Sequence, residues 1–597
     1  MVRELTLRAV ILGVILSIIM AAANIYLGLF AGMTVSASIP AAVISMGILR
    51  GFFRKGTILE NNIIQTSASA GESLAAGIIF TIPALVIAGV WFEFDFWITS
   101  LIALLGGLLG VLFMIPLRKA LIIEEKELIY PEGIACAEVL KTGDEQQSGR
   151  AKHIFIALSL GFVFKYFVTA FTVIKETVEK AIIIGKSLFY FGYDSSVALL
   201  GVGYIVGFNV SVLVFIGGAL GWIIGIPIYS FFYPVSGNLL DAAWDIWSLN
   251  IRFIGVGAMI IGGLWSIVSI RKGIKKGLKE LFGRSQSTED LSKRVIFSLI
   301  SGIVIAIFSL YWYVTKNPGL SLLSAILMVI ASFFFVAVSS YIVGLVGSSN
   351  NPVSGMIIST ILFTSAILLL IGITGIKGII AALAIAGVVG CAVCTAGDVS
   401  QDLKTGHIVG ATPRKQQIVQ IFGVVAASFI IAPILTLLHN AYGIGTGEPG
   451  ALQAPQASLF ASIVKGLFTK GEELPWNMVV IGGVLAIILI IIDESLKVRK
   501  SSFRTYVMPV AVGIYLPLSL SVPILIGGII RKTIKKADKG VLVSSGLIAG
   551  ESIAGIVIAG MIYAKFEPKT IIQSNPLSLL IFVGFIVYLF LIDRITQ

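Results

Sequence analysis

Ala70-Gly71-Glu72-Ser73-Leu74-Ala75-Ala76-Gly77 sits in the middle of an otherwise apolar run, roughly Ile63 to Val90. Near the far end of the chain the pattern returns as Ala549-Gly550-Glu551-Ser552-Ile553-Ala554-Gly555, again inside a hydrophobic run. Each glutamate lies twelve residues after a charged residue that opens its run, Glu60 and Lys539. In a helix rising about 1.5 Å per residue, that is about 18 Å, near the middle of a hydrocarbon core about 30 Å thick. An ionised carboxylate at that depth costs several kcal/mol unless it faces a wet cavity or a partner. Small residues flank both glutamates, so another backbone can come close. The two are therefore read as lining one central pathway that the rest of the chain builds. The competing reading is a pair of neutral, hydrogen-bonded acids that only fix helix packing.

The composition supports a membrane reading. Of 597 residues, 57% are hydrophobic and 12% charged, against about 25% charged in soluble domains. Many runs reach the 18 or so apolar residues that span a bilayer. The expected fold class is all-α: a polytopic membrane protein of about sixteen transmembrane or re-entrant helices, with internal repeats and broken hairpins. A β-barrel would show short alternating strands instead. The net charge of +12 is explained by basic residues crowded into a few cytoplasmic loops, with no nucleic-acid partner. Met1-Val2-Arg3-Glu4 leads straight into a long helix without a cleavable leader. Cys136, Cys391 and Cys394 do not make a disulfide framework.

Taken in order, residues 1–270 form one transmembrane half, 271–294 a basic cytoplasmic linker and 295–597 a second half. Both termini are expected in the cytoplasm of a multi-pass protein of the cell membrane, because Lys and Arg mark 118–152, 271–294, 397–414 and 531–539 as inner loops. The acidic, aromatic Trp91–Asp95 and the Asp241–Asp245 segment mark the outer face. Glycine and proline make Ile25 to Leu49 discontinuous. Ser196 to Tyr229 and residues 505–530 read as hairpins that return to their own side, and Ser348–Gly355 as an irregular turn at membrane depth. Residues 439–475 read as an external loop.

Two echoes support a repeat. Ile25-Tyr26-Leu27 precedes the first glutamate helix and Ile514-Tyr515-Leu516 the second. Broken segments in corresponding parts of a transporter point to its substrate site, where freed backbone groups are satisfied by ligand or water. The candidate proton- and substrate-binding residues are thus Glu72 and Glu551, with Asn24, Tyr26 and Tyr515 near the breaks. Lys165, deep in its span, is a possible partner for a buried carboxylate, or else it snorkels. Asn351 belongs to the irregular turn.

Other chemistry is mostly excluded. There is no GxxxxGK[ST] loop and no HExxH. Asp194 and Asp398 tempt a membrane-protease reading, but their expected depths keep them from sharing a proton. Cys391 and Cys394 have metal-ligand spacing without a second pair, so they read as packing residues, and no metal or cofactor is expected.

Glu60-Asn61-Asn62-Ile63-Ile64-Gln65-Thr66 resembles the ENxxIQT signature of the oligopeptide transporter (OPT) family, in the branch related to the plant Yellow Stripe-like transporters. Pro116-Leu117-Arg118-Lys119 through Tyr130-Pro131-Glu132-Gly133 is similar to that family's PLRK…YP.G loop. Gly397 to Gly406, followed by Pro413-Arg414, is similar to its GDxxQDxKTG…PR loop. The resemblance implies proton-coupled uptake of small peptides or metal–chelator complexes through a helical bundle. The reading is a secondary transporter, a proton symporter for a peptide-like or chelate substrate. An uncoupled channel or facilitator is the alternative, and an intramembrane enzyme a remote one.

Overall fold

The computed structural model describes residues 4–592, apart from positions 33, 52, 54–55, 126–127, 145–148, 171–175, 236, 270–288, 349–350, 449–450, 470–474, 535–537 and 567–574. The chain is an all-α polytopic membrane protein. Among the described residues, thirteen helical segments are long and apolar enough to cross a bilayer. Two shorter apolar helices, Ser38–Gly51 and Leu579–Ile592, accompany them. Most of the expected linker lies outside the described residues, and helix resumes at Lys293.

The first helix, Leu7–Ala31, starts on a Thr6 cap and stops at Gly32, whose φ of 70° suits a residue without a Cβ. The break therefore opens at Gly32 and takes in 34–37. Ile25 and Tyr26, expected inside the discontinuity, lie in continuous helix, because no proline or glycine geometry interrupts the ladder before Gly32. The second break falls at Leu516, between helices Val507–Tyr515 and Leu518–Thr533. There Pro517 forces the preceding residue extended (ψ 150°). The two echo sequences thus occupy different places: one is mid-helix, the other sits at a break.

Between helices Gly149–Ala170 and Val197–Gly218 lies an antiparallel two-stranded hairpin, Thr177–Ile184 with Ser187–Asp194. The run after Ser196 doubles back at Gly207 (φ 83°). Ser211 Oγ donates to the Gly203 carbonyl at 3.1 Å. Eight residues of straight helix would separate those groups by about 12 Å.

Two loop expectations are corrected. Gly375–Val409 is one helix of 35 residues, so Gly397–Gly406 is helical, not a loop. Its polar residues Gln401, Asp402 and Thr405 are buried and have tertiary partners, and the chain leaves the helix only at Gly410, with φ 78°. Residues 455–468, placed in an external loop, form a buried helix. Ala454 N–H donates to the Leu29 carbonyl at 2.8 Å, and the Gln456 amide donates to the Gly32 carbonyl. This segment caps the open end of the first helix, where carbonyls have no partner of their own.

The expected halves interdigitate. Ser17 Oγ donates to Gly423 O at 2.9 Å. A Cβ built on Gly77 would lie 2.4 Å from the Cys391 nitrogen. Helices from both ends of the chain therefore make one core.

Candidate functional site

Glu72 ends the helix Ile58–Glu72, which starts in a capping box of Thr57 and Glu60 and continues through Ser73 into Leu74–Ile87. Its carboxylate is sealed inside the protein (3% exposed), as is that of Glu551 (0%) in helix Asp538–Tyr563. Each has found the amino end of another helix. Glu72 Oε2 accepts the Ala37 N–H at 3.3 Å, immediately before the short helix Ser38–Gly51. Glu551 Oε2 accepts the Ala198 N–H at 2.7 Å, and its Oε1 accepts the Ser196 hydroxyl at 2.6 Å. Ser196 is the cap of the helix that turns at Gly207. Unpaired N–H groups and the positive end of the helix dipole make such termini anion sites, here filled by the protein's own carboxylates.

The neighbours of the two sites differ. Asn24 donates to Glu72 Oε1. The same amide bridges the break, with Nδ2 on Val35 O at 2.8 Å and Oδ1 on Val35 N at 3.3 Å. The charges bearing on Glu72 are the acids Asp398, Asp402 and Glu132. Glu551 instead has Lys165 within electrostatic reach. Lys165 is buried (4% exposed), so it does not snorkel. It is ion-paired to Glu176, and its ammonium lies 6.0 Å from the Tyr26 ring and 5.9 Å from Phe30.

Tyr26 belongs to this second neighbourhood. A Cβ on Gly555 would lie 2.6 Å from its ring, and Tyr442, 6.2 Å away ring to ring, donates its hydroxyl to Gly555 O at 2.8 Å. Two residues along a helix is a turn of about 200°. Asn24 and Tyr26 therefore point opposite ways, and the first helix stands between the two glutamate helices.

The remaining candidates lie elsewhere. Tyr515 packs 6.3 Å from Trp247 and 6.0 Å from the Arg252 guanidinium, with no described bond to either glutamate. The carbonyls beside it, expected to be open for substrate, are taken: Ile514 O accepts from Trp247 Nε1 at 3.2 Å and Leu516 O from Trp222 Nε1 at 3.1 Å. Asn351 donates to Ser339 Oγ at 2.8 Å beside Gly397. The tempting aspartates have separate partners: Asp194 accepts from Thr177 Oγ1 and Ser196 N, both at 2.8 Å, whereas Asp398 lies beside Ser348. They form no dyad. Among the described residues, no group of three or more His, Cys, Asp or Glu is placed to hold a metal.

Sequence reasoning missed Ala37, Ser38, Ser196 and Ala198, although serines ahead of an apolar run are a helix-start signal. It also missed Glu176 and Tyr442, for which no local signal exists, and it did not single out Asp402, although that residue lies inside the Gly397–Gly406 motif.

A family model described as "OPT oligopeptide transporter protein" matches residues 4–562. A Haemophilus influenzae protein named "Putative oligopeptide transporter" is 36% identical over 589 residues, covering 90% of this chain and 92% of its own length. The rice protein "Probable metal-nicotianamine transporter YSL5" is 26% identical over 90% of this chain and 88% of its own. Maize "Iron-phytosiderophore transporter yellow stripe 1" is 23% identical over 80% of this chain and 75% of its own.

Proposed function

Because this chain belongs to the oligopeptide transporter family, and is thus a membrane transporter and not an enzyme, we propose that it works as a proton-coupled symporter for a small zwitterionic substrate, a peptide or a metal chelate. One observation carries the reading: two buried glutamates, hundreds of residues apart, each rest on the amino end of a broken or short helix. Intramembrane carboxylates in such settings serve proton and substrate pathways. Glu72, with acids and amides around it, takes up and releases the proton. Glu551 stays charged opposite Lys165. The Lys165–Glu176 pair, with Tyr26, Phe30 and Tyr442 beside it, offers both signs of charge and apolar surface to a zwitterion. The names of the relatives support both substrate kinds, peptide in one case and metal–nicotianamine or iron–phytosiderophore in the others.

The orientation belongs to the same proposal: both termini and the basic loops face the cytoplasm of a cell-membrane protein. Single cysteines near Glu93 should react with an impermeant reagent from outside, and Ser285→Cys should not.

The deciding measurement is uptake into proteoliposomes of a radiolabelled tripeptide panel and of iron–nicotianamine, with and without an inward proton gradient. Concentration of either probe above its equilibrium level only with the gradient is the expected result. Equilibration without concentration for both probes means an uncoupled facilitator.

A further inference from the structure

Beyond the two glutamates, the structure holds a second line of buried carboxyls. Asp402 is fully buried in the Gly375–Val409 helix. Its Oδ1 accepts the Ser38 hydroxyl at 3.1 Å and the Gln65 amide. Ser38 Oγ is also 3.0 Å from Ser69 Oγ. Ser69 lies one turn before Glu72, and Ser38 follows the very residue whose N–H holds Glu72. In the other direction, Asp398 is one turn from Asp402 on the same helix. Next to Asp398, the Ser348 hydroxyl donates to Glu132 Oε2. Glu132 is only half-buried, at the start of helix Pro131–Asp144.

A further observation concerns Asp402 itself: among the described residues its Oδ2 has no hydrogen-bond partner. A buried carboxylate oxygen without a donor is costly, whereas one that carries a proton presents a hydroxyl. The charged or titratable groups within electrostatic reach of Asp402 are Asp398, Glu72 and Cys136, and the hydrogen-bonding groups beside it are the neutral Gln65, Ser69 and Ser38. Gln416 bonds the Asp402 carbonyl at 2.9 Å. The nearest lysine in sequence, Lys404, is spent on the Ile122 carbonyl at 3.2 Å. No cation pairs with Asp402 among the described residues.

We infer that Glu72, Asp402, Asp398 and Glu132 form a proton relay, with Asp402 as its central stop and the Ser38 and Ser348 hydroxyls as links. One proton leaves Glu72 and one arrives at Glu132. Each intervening carboxyl gains and loses a proton once per passage, so the relay itself returns unchanged. The inference rests on Glu72 being the coupling carboxyl.

The test follows carboxyl infrared bands of the full-length protein in lipid after pH jumps and transfer to heavy water. Glu72→Gln identifies the Glu72 band, and Asp402→Asn identifies the Asp402 band. The relay predicts that Asp402→Asn and Ser38→Ala each slow deuterium exchange at Glu72 by about tenfold or more, a modest share of what positioned proton transfer supplies. Asp402→Glu should restore it. If Glu72 shows no titrating band, the coupling role and the relay both fall. If Glu72 titrates and exchanges at the parent rate in both variants, the relay alone is overturned. Should Asp402→Asn not fold, Ser38→Ala carries the decision, because it cuts only one link.

Discussion

The Glu72 and Glu551 sites are built alike and charged differently. Both carboxylates lie inside a small-residue helix and rest on the amino end of another helix. The further helices contribute differently: neutral Asn24 is hydrogen-bonded to Glu72, whereas cationic Lys165, paired with Glu176, lies within electrostatic reach of Glu551. A helix terminus supplies only partial charge, about half a unit. The neighbours must therefore decide whether a carboxyl can change its proton or is pinned as an anion. The difference teaches that the repeated Gly-Glu-Ser pattern specifies a position, while the surroundings specify the role.

The comparison breaks most visibly in transport. Glu72→Gln should abolish gradient-driven accumulation in proteoliposomes while leaving downhill exchange of the same probe. Glu551→Gln should depress both, because it disturbs the Lys165 neighbourhood. Identical behaviour of the two variants would erase the distinction.

Stability gives the next largest contrast. Lys165→Met strips the counter-charge from Glu176 and Glu551 and should cost about 3–5 kcal/mol, the usual range for breaking a buried pair. Asn24→Leu at the first site leaves unpaired polar groups and should cost about 1–3 kcal/mol. Denaturant melts in detergent measure both, and a smaller loss for Lys165→Met than for Asn24→Leu would reverse the assignment.

Packing distinguishes the sites more finely. Gly555→Ala pushes a methyl into the Tyr26 ring and should cost about 1–3 kcal/mol by overpacking. Gly560→Ala, one and a half turns on, meets open space and should be nearly neutral. A smaller loss than that of Gly555→Ala is expected for Ser196→Ala, which removes both a helix cap and a bond to Glu551. About 1 kcal/mol is expected, with weaker protection of the Ala198 amide from hydrogen exchange.

Some of this was legible along the chain. Low charge, long apolar runs and two glutamates far inside them follow from local composition and the rise of a helix, so membrane class and buried carboxyls need no coordinates. The hairpin after Ser196 was legible too, because Gly207 and its glycine-rich surroundings are local facts. The position of the first break was not, since any of several glycines qualified, and Gly32 was selected by what packs against it. The Gly397–Gly406 motif looked like a loop by its polarity, and only its tertiary partners make a polar helix at that place tolerable.

Sequence by itself determined what each residue can do: which side chains titrate, which backbones can bend and which runs prefer lipid. Tertiary structure decided what each one meets. The Ser196–Glu551 bond joins positions 355 residues apart and Ser38–Asp402 joins positions 364 apart. Opposite faces of one helix send Asn24 to one glutamate and Tyr26 to the helix of the other. Such pairings depend on the rotation and register of packed helices, set by the summed contacts of many small residues, and no single stretch of the chain encodes them.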